Sequence, residues 1–154
     1  MATSTIEIDT AAEMEALGGA IADAATVALT VHLSGELGAG KTTLVRGYMR
    51  RLGYKGAVKS PTFTLVESYT LDNRVVHHFD LYRLEDPEEL EFIGLDEYFE
   101  VGADCLVEWP DHGRSGLPDP DIEIYLGTCG VKRVAKLSAD TEYGRRLLAT
   151  IENK

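Results

Sequence analysis

Gly35 to Thr42 reads GELGAGKT and fills the pattern G-x-x-x-x-G-K-[ST] without a mismatch, the spacing with which a backbone loop cradles the phosphates of a nucleotide. Gly35, Gly38 and Gly40 admit torsions that a side chain forbids. They also leave the backbone bare, so the N–H groups from Glu36 through Leu37, Gly38 and Ala39 to Gly40 can converge on one anion. Lys41 has the reach and charge for the β- and γ-phosphates. The Thr42 hydroxyl can take a place on Mg²⁺, and Thr43 adds a donor at the same helix end, where the helix dipole favours an anion.

Such a loop binds phosphate but does not by itself hydrolyse it. A carboxylate at the end of a neighbouring strand has to hold the metal, directly or through water. Glu108 ends an apolar strand and Asp80 ends a less regular one, and the sequence leaves open which stands closer to the metal. In the Ser60-Pro61-Thr62 turn, Thr62 falls where nucleotide switches place a γ-phosphate sensor, although a simple turn threonine fits as well. Trp109, the only tryptophan, can cover the site, meet a partner or pack in the core. Thr10 and Arg133 are candidates for the base side.

These groups need elements to carry them. Val27 to Leu33 is an apolar, β-branched run of strand length. Thr43 to Leu52 has helical spacing, with Leu44, Val45, Tyr48, Met49 and Leu52 on one face, so the loop has its expected strand and helix. A short strand at Thr5 to Ile8 precedes a T-x-x-E capping box, Thr10 and Glu13, which opens an alanine-rich helix to about Asp23. After a polar break at Lys59 to Thr62, Phe63 to Leu71 reads as a strand. A turn at Asp72, Asn73 and Arg74 returns Val75 to Phe79 antiparallel and delivers Asp80.

Asp86, as an N-cap before Pro87, starts a short helix to about Phe92. Asp96 caps a brief second one ending near Gly102. Cys105 to Val107 is a strand terminating in Glu108, and residues 111–120 form a loop. Ile122 to Leu126 and Val131 to Leu137 alternate across a turn at Thr128 to Gly130, giving a second hairpin. A closing helix runs from Asp140, its cap, to Glu152.

The bulk properties narrow the function classes. A chain of 154 residues is one domain with a core of its own. With 44% hydrophobic and 27% charged residues it has ordinary soluble composition, no apolar run of membrane-spanning length and no signal segment, so a cytoplasmic protein without membrane contact is expected. The net charge of −11 repels phosphate backbones and argues against direct, stable binding to naked nucleic acid. Cys105 and Cys129 form no C-x-x-C pair, and none of the four histidines has a partner at zinc-ligand spacing, so the cysteines read as reduced and structural, and the histidines as core or surface residues.

Taken with KSPTF at Lys59 to Phe63, HFDLYR at His78 to Arg83 and VEWP at Val107 to Pro110, the loop sequence GELGAGKTTL resembles the TsaE family, the bacterial P-loop ATPases of tRNA threonylcarbamoyladenosine (t6A) synthesis. The likeness runs over nearly the whole length. It implies an α/β, P-loop NTPase-like three-layer fold with a mixed, largely parallel central sheet and helices on both faces. It further implies ATP and Mg²⁺ as ligands and an ATPase weak alone and stimulated by its partners, the TsaB and TsaD proteins, which hold the tRNA and do the transfer chemistry. In the family pattern Lys41 binds phosphate, Thr42 and Glu108 serve the metal, and Asp80 and Thr43 support hydrolysis. The residues by themselves stop at an ATP- or GTP-binding domain, leaning to adenine because a guanine-reading N-K-x-D motif is missing. A small P-loop kinase and a nucleotide-sensing assembly module that barely hydrolyses stand as alternatives. The kinase is disfavoured because the acidic 80–111 region supplies no arginine-rich lid.

Overall fold

The computed structural model describes residues 1–61, 64–72, 74–99, 102–113 and 116–152. Its strands are β1 (Ala2–Glu7), β2 (Thr30–Gly35), β3 (Val66–Leu71), β4 (Arg74–Asp80), β5 (Ala103–Glu108), β6 (Ile122–Cys129) and β7 (Lys132–Ala139). Its helices are α1 (Ala11–Ala24), α2 (Lys41–Arg51), α3 (Glu89–Phe92), α4 (Leu95–Tyr98) and α5 (Glu142–Glu152). The strands form one sheet in the order β1-β7-β6-β2-β5-β4-β3. The four central strands, β6, β2, β5 and β4, run parallel, and antiparallel strands close both edges. This is the α/β sheet with mixed pairing that the family resemblance implies.

Alternation along the strands sorts side chains into two cores. On one face Leu33, Leu106, Val76 and Ile124 pack under α1, α2 and α5. On the other, Phe79, Cys105 and Val107 pack under Leu90 of α3 and Leu95 of α4. That second layer covers only the β4–β5 part of the sheet. Beyond it Thr3, Thr5, Glu123, Tyr125 and Lys136 stand exposed, and with Ser34 they line an open groove of about 780 Å³. Helices α1 and α2 cross closely because a Cβ on Gly18 would lie 2.0 Å from Leu44 O and one on Gly47 would lie 2.0 Å from Glu15 O. No helix among the described residues is long and apolar enough to cross a membrane.

Several boundaries differ from those expected, each for a local reason. The strand expected at Val27 starts at Thr30. Before it, side chains replace ladder partners: the Tyr143 hydroxyl brackets Val27, donating to its carbonyl at 2.6 Å and accepting from its N–H at 3.2 Å, and Asp104 accepts from Leu29 N. The strand expected from Phe63 begins at Val66, after Leu65 takes a left-handed φ of 65°; Phe63 lies outside the described residues. Gly94, also left-handed, stands at the cap position of α4, where Asp96 was expected; Asp96 falls in the first turn instead. Thr141, not Asp140, caps α5, its Oγ1 accepting from Gly144 N at 2.9 Å. Glu88, not Asp86, stands at the cap position of α3 and makes no side-chain cap bond; Asp86 lies in the turn before it, accepting from Glu88 N at 3.0 Å. The Thr10 cap of α1 is as expected, Oγ1 accepting from Glu13 N at 3.1 Å.

Candidate nucleotide-binding site

The site lies where the parallel strands end, the side of an open α/β sheet that takes ligands. Strand β2 delivers Gly35, and the loop turns through Gly35, Gly38 and Gly40 at φ of 145°, 81° and 110°, a region that favours glycine. At Gly35 the approach is close as well, since a Cβ there would lie 2.5 Å from Leu126 O of β6. Gly40 occupies the cap position of α2 and supplies no side-chain cap, so the first N–H groups of the helix remain donors for an anion.

Lys41 is 5% exposed. Its Nζ donates to Gly35 O at 2.5 Å and Glu36 O at 2.9 Å, and it sits 4.3 Å from the centre of the Trp109 ring. Burial lowers its pKa, and Glu108 and Asp80 partly offset this. Trp109 adopts φ 57°, a strained value for a bulky residue. Its N–H donates to Leu33 O at 3.1 Å, and its ring leans on Tyr82 and His112 at 5.0 and 5.5 Å.

The two acids stand side by side, because the β4–β5 register pairs Asp80 with Glu108. Glu108 is 3% exposed. Its Oε2 accepts from Thr42 Oγ1 at 3.0 Å and from His78 Nε2 at 2.6 Å. Asp80 Oδ2 accepts from Ser60 Oγ, and its Oδ1 accepts from Tyr82 N at 3.0 Å. Leu37, Gly38, Gly40, Lys41, Thr42, Thr43, Ser60, Asp80, Glu108 and Trp109 thus share one hollow of about 270 Å³. A hydroxyl beside a carboxylate, with a second carboxylate adjacent, is a hard-oxygen donor set suited to Mg²⁺.

A second hollow, about 280 Å³, joins the outer side of Glu36 to Ala39 to Arg133, Tyr125 and Thr128. Arg133 therefore borders the loop. Thr10 lines neither hollow; it caps α1, two residues beyond Ile8, whose N–H donates to Arg133 O. Thr62 lies outside the described residues. Sequence reasoning gave no role to His78. Its position two before Asp80 placed it on the same face of the strand, but the register that brings it to Glu108 is a tertiary fact. Asp104 was missed too. It is fully buried and accepts from Leu29 N, Tyr48 Oη and Arg74 Nε at 3.0, 2.8 and 2.6 Å.

Residues 8–134 match the family model described as threonylcarbamoyl adenosine biosynthesis protein TsaE. The chain belongs to the TsaE family. Among curated relatives, the tRNA threonylcarbamoyladenosine biosynthesis protein TsaE of Haemophilus influenzae is 46% identical over 126 residues, covering 82% of this chain and 80% of that one. The protein of the same name from Bacillus subtilis is 43% identical over 98 residues, 64% of this chain and 61% of the relative. The crystal structure of Bacillus subtilis YdiB superposes with a TM-score of 0.83 at 28% identity, over 99% of this chain and 95% of that one.

Proposed function

We propose that this TsaE-family chain binds ATP with Mg²⁺ and hydrolyses it, and that it serves t6A synthesis by supporting the cycle of a TsaB–TsaD complex. The observation that carries the reading is the convergence of Lys41, Thr42, Asp80 and Glu108 on one hollow at the mouth of the glycine loop. The loop N–H groups and the start of α2 hold the phosphates. Lys41 exchanges its two loop carbonyls for phosphate oxygens, a favourable trade for an ammonium whose burial is otherwise costly. Thr42 and Glu108 hold the metal, and Asp80 orients the attacking water. Held by Thr42 and Glu108, Mg²⁺ would supply positive charge to offset that of the phosphate oxygens. The names of the relatives support the pathway, and the net charge of −11 supports contact with tRNA only through partners.

The test is steady-state ATP hydrolysis by the purified chain, alone and with TsaB and TsaD, with Lys41→Ala as the blank. Slow turnover that rises with the pair and vanishes in the blank is expected. Turnover indifferent to the pair would remove the pathway assignment and leave a nucleotide-binding domain.

A further inference from the structure

His78 is fully buried in β4, and its ring makes one polar contact among the described residues, Nε2 to Glu108 Oε2 at 2.6 Å. A carboxylate only accepts, so Nε2 is the donating nitrogen. The other nitrogen, Nδ1, is buried with no partner among the described residues. Leaving a ring nitrogen desolvated and unpaired costs free energy that a leucine of similar size would not. Packing alone therefore does not account for an imidazole here.

The contact gains meaning from what shares it. Thr42 Oγ1 donates to the same carboxylate oxygen, while Oε1 receives no hydrogen bond from the described residues. A threonine hydroxyl has one O–H and two lone pairs, so Thr42 can offer a lone pair to a metal while its proton stays on Oε2 of Glu108. The imidazole, fully buried in β4, is a second donor on that oxygen, and unlike Thr42 it comes from outside the loop.

Resting on the nucleotide and Mg²⁺ reading above, we propose that His78 is a positioning residue. It pins Oε2 of Glu108 from inside the sheet, so that the carboxylate presents a fixed oxygen to the metal at the mouth of the loop. It touches neither nucleotide nor metal itself. Outer-shell donors of this kind are worth about 10–100-fold in metal affinity.

The test compares the wild type with His78→Leu, which keeps the bulk and removes the donor, and His78→Gln, whose amide can place an N–H near the position of Nε2. Binding of a non-hydrolysable ATP analogue is measured by calorimetry in EDTA and in Mg²⁺, Mn²⁺ binding to the protein–analogue complex is followed by electron paramagnetic resonance, and thermal melts check folding. The expected result is unchanged affinity in EDTA for all three proteins, Mn²⁺ affinity reduced roughly 10–100-fold in His78→Leu, and substantial recovery in His78→Gln. Wild-type Mn²⁺ affinity in a folded leucine variant would overturn the proposal, as would equal loss in the leucine and glutamine variants. If His78→Leu does not fold, His78→Asn takes its place, since its shorter amide cannot reach Oε2, and the same outcomes decide. A wild type whose analogue complex binds no Mn²⁺ would instead sink the metal reading itself.

Discussion

Strand β5 carries two buried carboxylates four residues apart on the same face, and they are held in opposite ways. Asp104, at the strand's start, accepts from a backbone N–H, a tyrosine hydroxyl and the Arg74 guanidinium. Its charge is neutralised by a neighbour that stays in place, and its hydrogen bonds tie α2, β4 and the chain before β2 together. Glu108, at the strand's end, has two donors crowded on one oxygen, a threonine hydroxyl and an imidazole. The Lys41 ammonium, which lines the same hollow, is engaged with loop carbonyls. Burial and charge are nearly the same for the two acids. What separates a structural carboxylate from one available for chemistry is whether its hydrogen-bonding capacity is already filled by the protein.

Removing Asp104 should break the structure more than the chemistry. Asp104→Ala strands Arg74 and the Tyr48 hydroxyl, and should destabilise the chain by about 3–5 kcal/mol, the cost of removing one partner of a buried pair. Urea unfolding measures this, with nucleotide affinity of the folded fraction expected to be unchanged. A loss below about 1 kcal/mol would place Asp104 among ordinary surface acids.

The pH dependence of the same end sharpens the contrast. Burial, then Asp104, raise the Tyr48 pKa well above its ordinary value near 10. Above that pH the unfolded chain releases a proton that the folded chain keeps, so stability falls as pH rises. The slope from this group reaches about 1.4 kcal/mol per pH unit. Unfolding free energies measured from pH 9 upward should show it, and Tyr48→Phe should flatten it.

The smallest effect concerns Thr10, which sits outside both hollows. Thr10→Ala should cost about 1 kcal/mol through the lost cap of α1 and leave ATP affinity unaltered by calorimetry. A fall in affinity with unchanged stability would bring Thr10 back to the base side of the nucleotide.

The difference between the two acids also marks what a sequence can carry. The glycine loop was legible because its chemistry is contiguous: Gly35 to Thr42 bring their own backbone donors, lysine and hydroxyl in one turn. Glu108 was legible as an acid ending an apolar strand and Asp80 as one ending a less regular strand, but their adjacency is set by the parallel β4–β5 register, which local spacing does not encode. The same register hides the bond from His78 to Glu108 across 30 residues. Asp104 stayed invisible because its partners, Leu29, Tyr48 and Arg74, come from three separate segments. The displaced caps at Gly94 and Thr141 show the local limit: several residues near a helix start can serve, and the tertiary path of the chain selects among them. The bare half of the second sheet face was hidden for the same reason, since alternation reveals which residues share a face but not whether a helix covers it.

The most direct measurement is Mg²⁺-dependent ATP hydrolysis by Glu108→Gln beside Asp104→Asn, each at a temperature where melts show the protein folded. Turnover reduced on the order of 10²–10³-fold in Glu108→Gln, with Asp104→Asn near wild type per folded molecule, is the predicted result. Hydrolysis retained by Glu108→Gln, or lost equally in both, would contradict the assignment of the strand's open end to the metal and its filled end to the fold.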